Sequence, residues 1–495
     1  MGNKQLLINE MNKRSKIFNF FSVFVILIYA GFSNTASGQP LALHPENGHY
    51  FIWDGEPAIL ITSGEHYGAV LNQDFDYERY LDALAADGLN NTRIFSGTYR
   101  EVPSSFGITN NTLAPEQNRY ACPWARSDIP GYFDGTNKFD LSRFDPAYFD
   151  RLKKFMSAAS DQGIVVEVVL FCPFYRNAMW EASPMNVKNN INGIGDCPRD
   201  DIFMLKHPEV TEVHEAFTRK IVRELNDFDN LYFEVLNEPW AGGVSSEWEH
   251  HIVDVIRQTE DELPKRHLIS LNVEGSRHPI SNPHPGVSIY NFHGAHPPRA
   301  VGLNYDLNKV IGENETGFRG SHDLIYRTEG WAFILAGGAI YNSLDYSFTP
   351  DHPTGTFLEY KSPGGGSPAL RKQLSILKGF MESFDFIRMK PDLSVMISFS
   401  EEITSYVLAE SGEAYAIYCH VPLPWKPENP DQIAVNTIKT KLTLDIPKGK
   451  YHVEWLDTQK GNLAGKEKFK HRGGEITLET PEFAGDIALK IVSKR

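Results

Sequence analysis

The chain has few cysteines and a deficit of positive charge, and each shortage excludes a class of protein. Four cysteines occur in 495 residues, and no two of them stand in a CxxC spacing. A disulfide scaffold and a cysteine-rich zinc site are therefore excluded, although one disulfide among Cys122, Cys172 and Cys197 stays open. The 48 Lys and Arg residues stand against 63 Asp and Glu residues, a net charge of -15. This balance argues against general affinity for phosphate backbones, so no nucleic-acid partner is expected.

The chain also lacks a repeat of fixed period and a low-complexity linker. Its hydrophobic fraction of 41%, charged fraction of 22% and mean hydropathy of -0.34 are typical of soluble globular proteins. The length is about three times the usual domain length of roughly 150 residues, which predicts at least two cores. Because no linker separates them, we expect the two domains to pack closely.

The N-terminus is typical of a secretory signal peptide. Basic residues at positions 13, 14 and 16 precede an apolar run at 17–32, and the small residues of 36–38 follow it. We therefore predict a signal peptide over residues 1–38, cleavage near Gly38 and a secreted or periplasmic protein. The alternative is a membrane anchor, but the run is shorter than the roughly 20 apolar residues of a spanning helix. No stable membrane insertion is expected after cleavage.

Residues 41–388 alternate between apolar strand-like runs and helical patterns, the order typical of an α/β protein with a parallel barrel or a doubly wound sheet. Eight strands in this order predict a (β/α)8 TIM barrel. The predicted strands cover residues 58–63, 91–95, 165–171, 231–236, 267–273, 288–293, 309–314 and 339–345.

Apolar residues recurring three or four positions apart predict the helices between these strands. After the fifth and sixth strands this pattern fails, so we expect two short or degenerate helices there. The dipeptide Asp54-Gly55 predicts the turn of an opening hairpin. The helices are predicted at 77–86, 147–161, 210–226, 247–263, 324–335 and 369–384.

Two connections, 96–144 and 172–207, are much longer than typical strand-to-helix loops. Both would lie at the carboxyl ends of barrel strands, the face where barrel active sites form. Beyond Pro391 the pattern changes to short alternating runs separated by Gly, Pro and Asn turns. This pattern predicts an antiparallel β-sandwich over residues 391–495.

Two glutamates stand where predicted strands end. Glu238 follows the fourth strand, and Pro239 stops the hydrogen-bond ladder directly after it. Glu315 follows the seventh strand. Strands four and seven lie across a barrel mouth from one another, so the two carboxylates are expected to face each other. Retaining glycosidases need such a pair about 5 to 5.5 Å apart, so the two acids indicate glycosidic bond cleavage.

These residues resemble a known group, the clan A glycoside hydrolases, and most nearly their cellulase-like family 5 barrels. Asn237-Glu238-Pro239 is similar to the clan's strand-four motif, and residues 309–317 (KVIGENETG) resemble its strand-seven pattern, with Thr316 in place of an aromatic residue. The resemblance implies Glu238 as acid/base, Glu315 as nucleophile and Asn237 as the ligand of the sugar 2-hydroxyl. It also implies Arg93 as the residue that supports the nucleophile.

The sixth strand ends in Tyr290-Asn291-Phe292-His293, which resembles the family's strand-six ending. The resemblance implies that His293 binds substrate. The tyrosine that usually follows two places later is replaced by Ala295, so His296 or another residue must orient the nucleophile.

Glu313 competes with Glu315 for the role of nucleophile. The two acids stand two residues apart, and such residues on a strand share a face. Glu315 is preferred because it is nearest the carboxyl end of the strand. In the resulting pair, Arg93 is expected to keep Glu315 ionised, while the facing negative charge raises the pKa of Glu238 and leaves it able to donate a proton.

Further candidates for sugar binding are His66, which closes the first strand, and aromatic residues that follow strands: Trp240, Tyr346, Phe174 and Tyr175. No cofactor is expected. A metal-dependent barrel hydrolase is a weaker alternative, since His293 and His296 have no HxH pair or acidic ligand set beside them. A secreted, non-catalytic glycan-binding barrel is the other alternative. Sugar configuration, linkage, endo or exo action and oligomeric state stay open.

Overall fold

The computed structural model describes residues 38–274, 278–427, 433 and 436–494. Apart from Gly38, the predicted signal peptide lies outside these residues. Residues from Gln39 onward form one compact unit. None of the described helices combines the length and the apolar character that crossing a membrane requires.

A small antiparallel sheet precedes the barrel. Asp54 and Gly55 join its second and third strands with φ values of 50° and 82°, and two successive positive φ values are typical of a tight hairpin turn. The predicted opening hairpin is thereby confirmed. The three strands are β1 (Ala42–Leu43), β2 (Phe51–Trp53) and β3 (Glu56–Ala58).

Eight parallel strands form the predicted TIM barrel, and each lies within two residues of its predicted limits. Their hydrogen-bonded order is β4-β13-β12-β11-β10-β9-β8-β5. The amide N–H of Asn90 joins the two ends of this order by donating to the Ile61 carbonyl at 3.3 Å. Two further strands, β6 and β7, pair with each other inside the loop after β5. The strands are β4 (Leu60–Gly64), β5 (Asn91–Phe95), β6 (Trp124–Pro130), β7 (Asn137–Phe144), β8 (Val165–Phe171), β9 (Leu231–Leu236), β10 (Leu268–Val273), β11 (Ile289–His293), β12 (Val310–Thr316) and β13 (Ile340–Leu344).

Helices pack around the barrel by one apolar face, and several begin where a side chain caps them. Asp145 and Ser367 accept hydrogen bonds from the first turns of the second and last helices, each of which has proline at its start. After β10 the described residues form no helix, and after β11 the helix has six residues, which confirms the predicted short elements. The helices are α1 (Tyr77–Ala86), α2 (Pro146–Asp161), α3 (Asn177–Ala182), α4 (Pro208–Leu225), α5 (Ser246–Glu260), α6 (Arg299–Asn304), α7 (Asp323–Leu335) and α8 (Pro368–Glu382).

The C-terminal region is antiparallel, as predicted, and encloses a second apolar core that includes Leu444, Val453 and Trp455. Its sheets have the orders β14-β16-β17-β24-β20-β21, β15-β19-β22 and β18-β23. The strands are β14 (Lys390–Pro391), β15 (Met396–Ser398), β16 (Thr404–Glu410), β17 (Ala414–His420), β18 (Thr437–Ile438), β19 (Lys441–Ile446), β20 (Gly449–Leu456), β21 (Leu463–His471), β22 (Gly474–Glu479), β23 (Phe483–Ala484) and β24 (Asp486–Ser493).

All four cysteines are unpaired, so the disulfide that the sequence left open is not formed. Cys122, Cys172 and Cys419 are buried. Burial raises the pKa of the Cys122 and Cys419 thiols to about 12. The thiols therefore behave as small apolar groups of the core.

A buried ion pair joins the barrel to the C-terminal sheets. Arg327 of α7 lies 2.7 Å from a carboxylate oxygen of Asp486, the first residue of β24. The Tyr418 hydroxyl donates to the other carboxylate oxygen at 2.9 Å, and the Tyr418 ring stacks on Trp331 of α7 at 5.3 Å. Tyr418 thus takes part both in the polar contacts of Asp486 and in the ring stacking that joins α7 to the C-terminal sheets.

Replacing Asp486 with alanine should destabilise the protein by about 3–5 kcal/mol, because it leaves the buried Arg327 charge without its partner. The free energy of unfolding from urea titration measures this loss. Arg388→Ala, which removes an exposed ion pair with Glu410, is the control and should hardly change the unfolding midpoint. An unfolding curve for Asp486→Ala that overlays the wild type would show that the pair does not stabilise the fold.

Candidate active site

A buried guanidinium occupies the barrel interior below the carboxyl ends of the strands. Arg93 is the third residue of β5, and its side chain is fully buried. Its nitrogens contact carboxylates from three other strands, and they also donate to a side-chain amide at the end of β9. These partners are Glu167 of β8 at 3.1 Å, Glu234 of β9, Glu315 of β12 at 2.9 Å and Asn237 at 2.6 Å. One cation therefore holds together side chains from four strands.

Glu167 and Glu234, two of the carboxyl groups that contact Arg93, differ in their pKa. Burial and the neighbouring charge of Glu234 raise the pKa of Glu167 well above its usual value. Burial opposes ionisation of Glu234 as well, but Arg93 and hydrogen bonds from Glu167 and Asn291 outweigh it and lower the pKa. Of these two acids, Glu234 is therefore the one more readily ionised beside Arg93.

Glu238 stands at the end of β9 in a strained conformation. Its φ and ψ of 43° and 62° place a non-glycine residue in the left-handed region. The backbone N–H of Glu238 donates to the Asn272 side chain at 3.0 Å. The Tyr175 hydroxyl donates to one carboxylate oxygen at 2.6 Å, and Nδ1 of His293 lies 3.0 Å from the other. Strain that neighbouring groups hold in place is typical of functional sites.

Glu238 and Glu315 face each other as the sequence predicts. One oxygen of each carboxylate and one nitrogen of His293 all lie within 4.8 Å of one another. Oxygens within 4.8 Å of each other are compatible with the roughly 5–5.5 Å that separates the carboxyl groups of retaining glycosidases. The arrangement suits attack by one carboxyl group while the other transfers a proton.

The expected rise in the pKa of Glu238 is wrong for this structure. Burial does oppose its ionisation, but the hydrogen bond and charge of His293, the Tyr175 hydroxyl and the charge of Arg93 outweigh burial and lower the pKa. The sequence indicates that Glu315 faces Glu238, but it does not show that His293 and Tyr175 both contact the Glu238 carboxylate.

Glu313 and Glu315 do not share a face, contrary to the expectation from their spacing. The register between β12 and its neighbours shifts at this point, which is the behaviour of a β-bulge. Glu315 consequently points to Arg93, whereas a Glu313 oxygen accepts the Ala295 N–H at 2.5 Å. Burial and the charges of Glu329 and Glu315 raise the pKa of Glu313 well above its usual value.

A pocket of about 390 Å³ opens above the two acids. Of the predicted binding residues, four line it: His66, Asn237, Tyr346 and Tyr175. His293 contacts Glu238 directly. Trp240 is not among the lining residues, because its ring packs edge-on against His293 at 5.3 Å.

His296 lies near the ring of His420, at 6.2 Å, and none of the contacts described for it involves Glu315. The phenol beside Glu315 belongs to Tyr67, from the loop after β4. Burial, followed by the charge of Glu315, raises the pKa of Tyr67 well above its usual value. The Tyr67 ring also lies 4.5 Å from the Arg93 guanidinium, so Tyr67 is positioned to orient the acid.

Several site residues were missed from the sequence. Glu167 and Glu234 carried a signal, since each is a single acid within an otherwise apolar strand (VVEVVLF and LYFEVL). Glu101 and Phe106 line the pocket from the loop after β5 and carried no signal beyond the unusual length of that loop. The sequence indicates Tyr175 only as a stacking platform. Its hydrogen bond to Glu238 joins residues that are far apart in the chain, so only the tertiary structure shows it.

Glu238, His293 and Glu315 are also the group in the described chain whose spacing could hold a metal ion. Two carboxylates and one imidazole are acceptable ligands for several divalent metals. However, the guanidinium of Arg93 already binds Glu315 at 2.9 Å and supplies positive charge at this position. The electrostatics favour an acid pair over a metal centre.

Comparison with known proteins identifies the fold. A family model described as a domain of unknown function, DUF6298, matches residues 115–276. A search of curated proteins finds no match. A family 5 glycoside hydrolase from Bacteroides vulgatus superimposes with a TM-score of 0.60 at 15% identity, covering 92% of this chain and 94% of that one. The chain has the fold of these glycoside hydrolases.

Two further structures support the same fold. A second protein from Bacteroides vulgatus, assigned provisionally as a glycoside hydrolase, gives a TM-score of 0.63 at 15% identity over 92% of this chain and 82% of that one. Another glycoside hydrolase gives 0.58 at 14% identity over 93% and 98%. The family 5 resemblance inferred from the strand-four and strand-seven motifs is thus confirmed at the level of the fold.

Replacing Tyr175 with phenylalanine should move the alkaline limb of the kcat/KM profile to higher pH on an aryl β-glycoside. The Tyr175 hydroxyl stabilises the ionised form of Glu238, so its loss raises the pKa of the proton donor. Tyr132→Phe, which removes a buried hydroxyl bonded to the Ala182 carbonyl, is the matched control. An alkaline limb that stays in place or moves to lower pH would contradict this account of Glu238.

Proposed function

We propose that this protein is a retaining β-glycoside hydrolase that cleaves β-linked oligo- or polysaccharides by double displacement. The observation that carries the proposal is the spacing of Glu238 and Glu315, whose nearest oxygens lie within 4.8 Å. The fold shared with glycoside hydrolases supports it.

In the first step, a Glu315 oxygen attacks the anomeric carbon and the glycosidic bond breaks. Glu238 gives its proton to the departing oxygen, and an ester links the sugar to Glu315. Arg93 holds the Oε2 atom of Glu315, which leaves Oε1 as the attacking atom. Asn237, fixed by hydrogen bonds to Arg93 and Tyr175, is placed to bind the 2-hydroxyl of the sugar.

In the second step, Glu238 removes a proton from water, and the water oxygen attacks the anomeric carbon. The ester bond breaks, and Glu315 leaves as a carboxylate. Two inversions return the original anomeric configuration. The proton taken from water restores the acid form of Glu238. Since Glu238 must hold this proton when the next substrate binds, the groups that lower its pKa, His293 and Tyr175, set the upper pH limit of activity.

The same cluster favours one competing function, a metal-dependent hydrolase built on Glu238, His293 and Glu315. Incubation with a chelator followed by assay distinguishes the two. The double-displacement mechanism uses only the side chains named above and should keep full activity, whereas a metal-dependent enzyme should lose activity and regain it when a divalent metal is restored.

We also propose that the chain is exported to the periplasm or the medium, on the basis of the basic, apolar and small-residue segments before Gln39. Mass spectrometry of the mature N-terminus, recovered from a secreting host, tests this proposal. A mature chain beginning near Gly38 supports it, and an unprocessed N-terminus in the exported protein contradicts it.

Glu238→Ala should lower turnover of unactivated glycans by 10²-fold or more, because the departing oxygen is no longer protonated. Aryl glycosides with good leaving groups should still form the glycosyl-enzyme, since they need little protonation. Azide should then accelerate release and give a β-glycosyl azide, because azide attacks without a general base. Full activity of the variant on unactivated glycans would refute the acid/base role.

A 2-deoxy-2-fluoro glycosyl substrate with a good leaving group should trap a covalent ester on Glu315, which peptide mass mapping locates. Glu315→Gln should abolish labelling and turnover. The matched control is Glu313→Gln, which should stay active because the amide keeps the size of the acid and an oxygen that accepts the Ala295 N–H. Recovery of the label on Glu313, or first-formed product of inverted configuration by proton NMR, would contradict the assignment.

A further inference from the structure

A bridge between two loops lies next to Ile108, which lines one side of the pocket. Thr109 lies in the loop after β5, and Lys361 lies in the loop after β13. The N–H and hydroxyl of Thr109 donate to the Lys361 carbonyl at 3.2 and 2.8 Å. The Lys361 N–H donates back to the Thr109 hydroxyl at 2.9 Å. Because β13 pairs with β4 and the other neighbour of β4 is β5, the bridge crosses the barrel mouth above β4.

The loop after β5 is anchored by buried polar contacts. Glu65, at the end of β4, accepts the Thr112 hydroxyl at 2.6 Å and the Ala69 N–H at 2.8 Å. Arg100, also buried, donates to the Pro115 carbonyl at 2.8 Å. The loop after β5 therefore has a fixed course, and its Phe106, Ile108 and Leu113 form an apolar side of the pocket.

The inner end of the pocket is polar. Nε2 of His66 lies 3.4 Å from a carboxylate oxygen of Glu101, and the Asn111 side-chain amide donates to the other oxygen. Glu101 is 2% exposed. Nδ1 of His66 and the hydroxyl of Tyr346 are buried without a hydrogen-bond partner, although both residues line the pocket. Such unsatisfied groups call for a ligand that donates and accepts hydrogen bonds.

The inner end of the pocket lies beside the proposed nucleophile, Glu315. Burial opposes protonation of His66, but Glu101 and the charge of Glu315 outweigh it and raise the pKa. After burial, the charge of Glu315 is also the largest influence on Tyr346. The side chains of Glu101 and Glu315 are 2% and 7% exposed, against 21% for Glu238. The sugar attacked by Glu315 is therefore expected at the inner end, and the leaving group protonated by Glu238 on the more exposed side.

We propose that the enzyme acts from chain ends, removing one sugar at a time from the non-reducing terminus, with Glu101 and His66 binding hydroxyl groups of that sugar. This inference rests on the proposed function. The cavity volume of about 390 Å³ is near the lower end of the range of roughly 300–1,000 Å³ for small-molecule sites. Such a volume suits a terminal residue better than the interior of a polymer.

The test uses β-linked oligosaccharides of two to six units, fluorescently labelled at the reducing end, in gluco, manno, galacto and xylo series. We expect free monosaccharide and labelled products that shorten by one unit at a time. Immediate formation of short labelled products, with falling viscosity of the parent polysaccharide, would overturn the inference and leave the proposed function standing. Failure to hydrolyse any oligosaccharide or aryl β-glycoside would overturn both.

A matched pair of variants tests the binding residues. Glu101→Gln should lower kcat/KM on the preferred aryl β-glycoside by roughly 10- to 100-fold, the effect of losing hydrogen bonds to a charged group. Glu116→Gln, an exposed acid in the same loop, should leave kcat/KM unchanged. Equal kinetics for Glu101→Gln and wild type would remove Glu101 from the site.

Replacing residues 104–110 with two glycines should add internal cleavage to the product pattern, with retained aryl-glycoside hydrolysis showing that the variant folds.

Discussion

The candidate site depends on the buried charge of Arg93. A guanidinium cannot lose its proton and is costly to bury, so it must be surrounded by carboxylates and amides. The barrel supplies them from β8, β9 and β12 in one layer. Nε of Arg93 contacts Glu167 and Nη2 contacts Glu234, and the remaining nitrogen, Nη1, contacts Glu315. The position of the proposed nucleophile follows from this set of contacts.

The second acid is held by different means. Glu238 occupies a left-handed backbone conformation that Asn272 stabilises through its side chain. Tyr175 and His293 then fix both carboxylate oxygens. In this arrangement the groups that orient Glu238 also favour its ionised form. These hydrogen bonds therefore lower the pH above which Glu238 loses its proton, which links the geometry of the site directly to its pH dependence.

The long loops add the features that determine which substrate fits. The loop after β5 contributes Glu101, Phe106, Ile108 and Leu113 to the pocket, and the loop after β8 contributes Tyr175. Hydrogen bonds between Thr109 and Lys361 join the loop after β5 to the loop after β13. The two facing acids thus come from the ends of the strands, whereas much of the pocket lining comes from the loops above them.

The sequence by itself determined the eight barrel strands, the weak helices after β10 and β11, and the pair Glu238 and Glu315, because strand ends and hydrophobic periods are local properties of the chain. It did not determine the lowered pKa of Glu238, the separation of Glu313 from Glu315 or the positions of Tyr67 and Glu101. The bulge in β12 changes which face a residue occupies, and the contacts of Glu238 join β9 to β11 and to the loop after β8. Such contacts join residues far apart in the chain, so only the tertiary structure decided them.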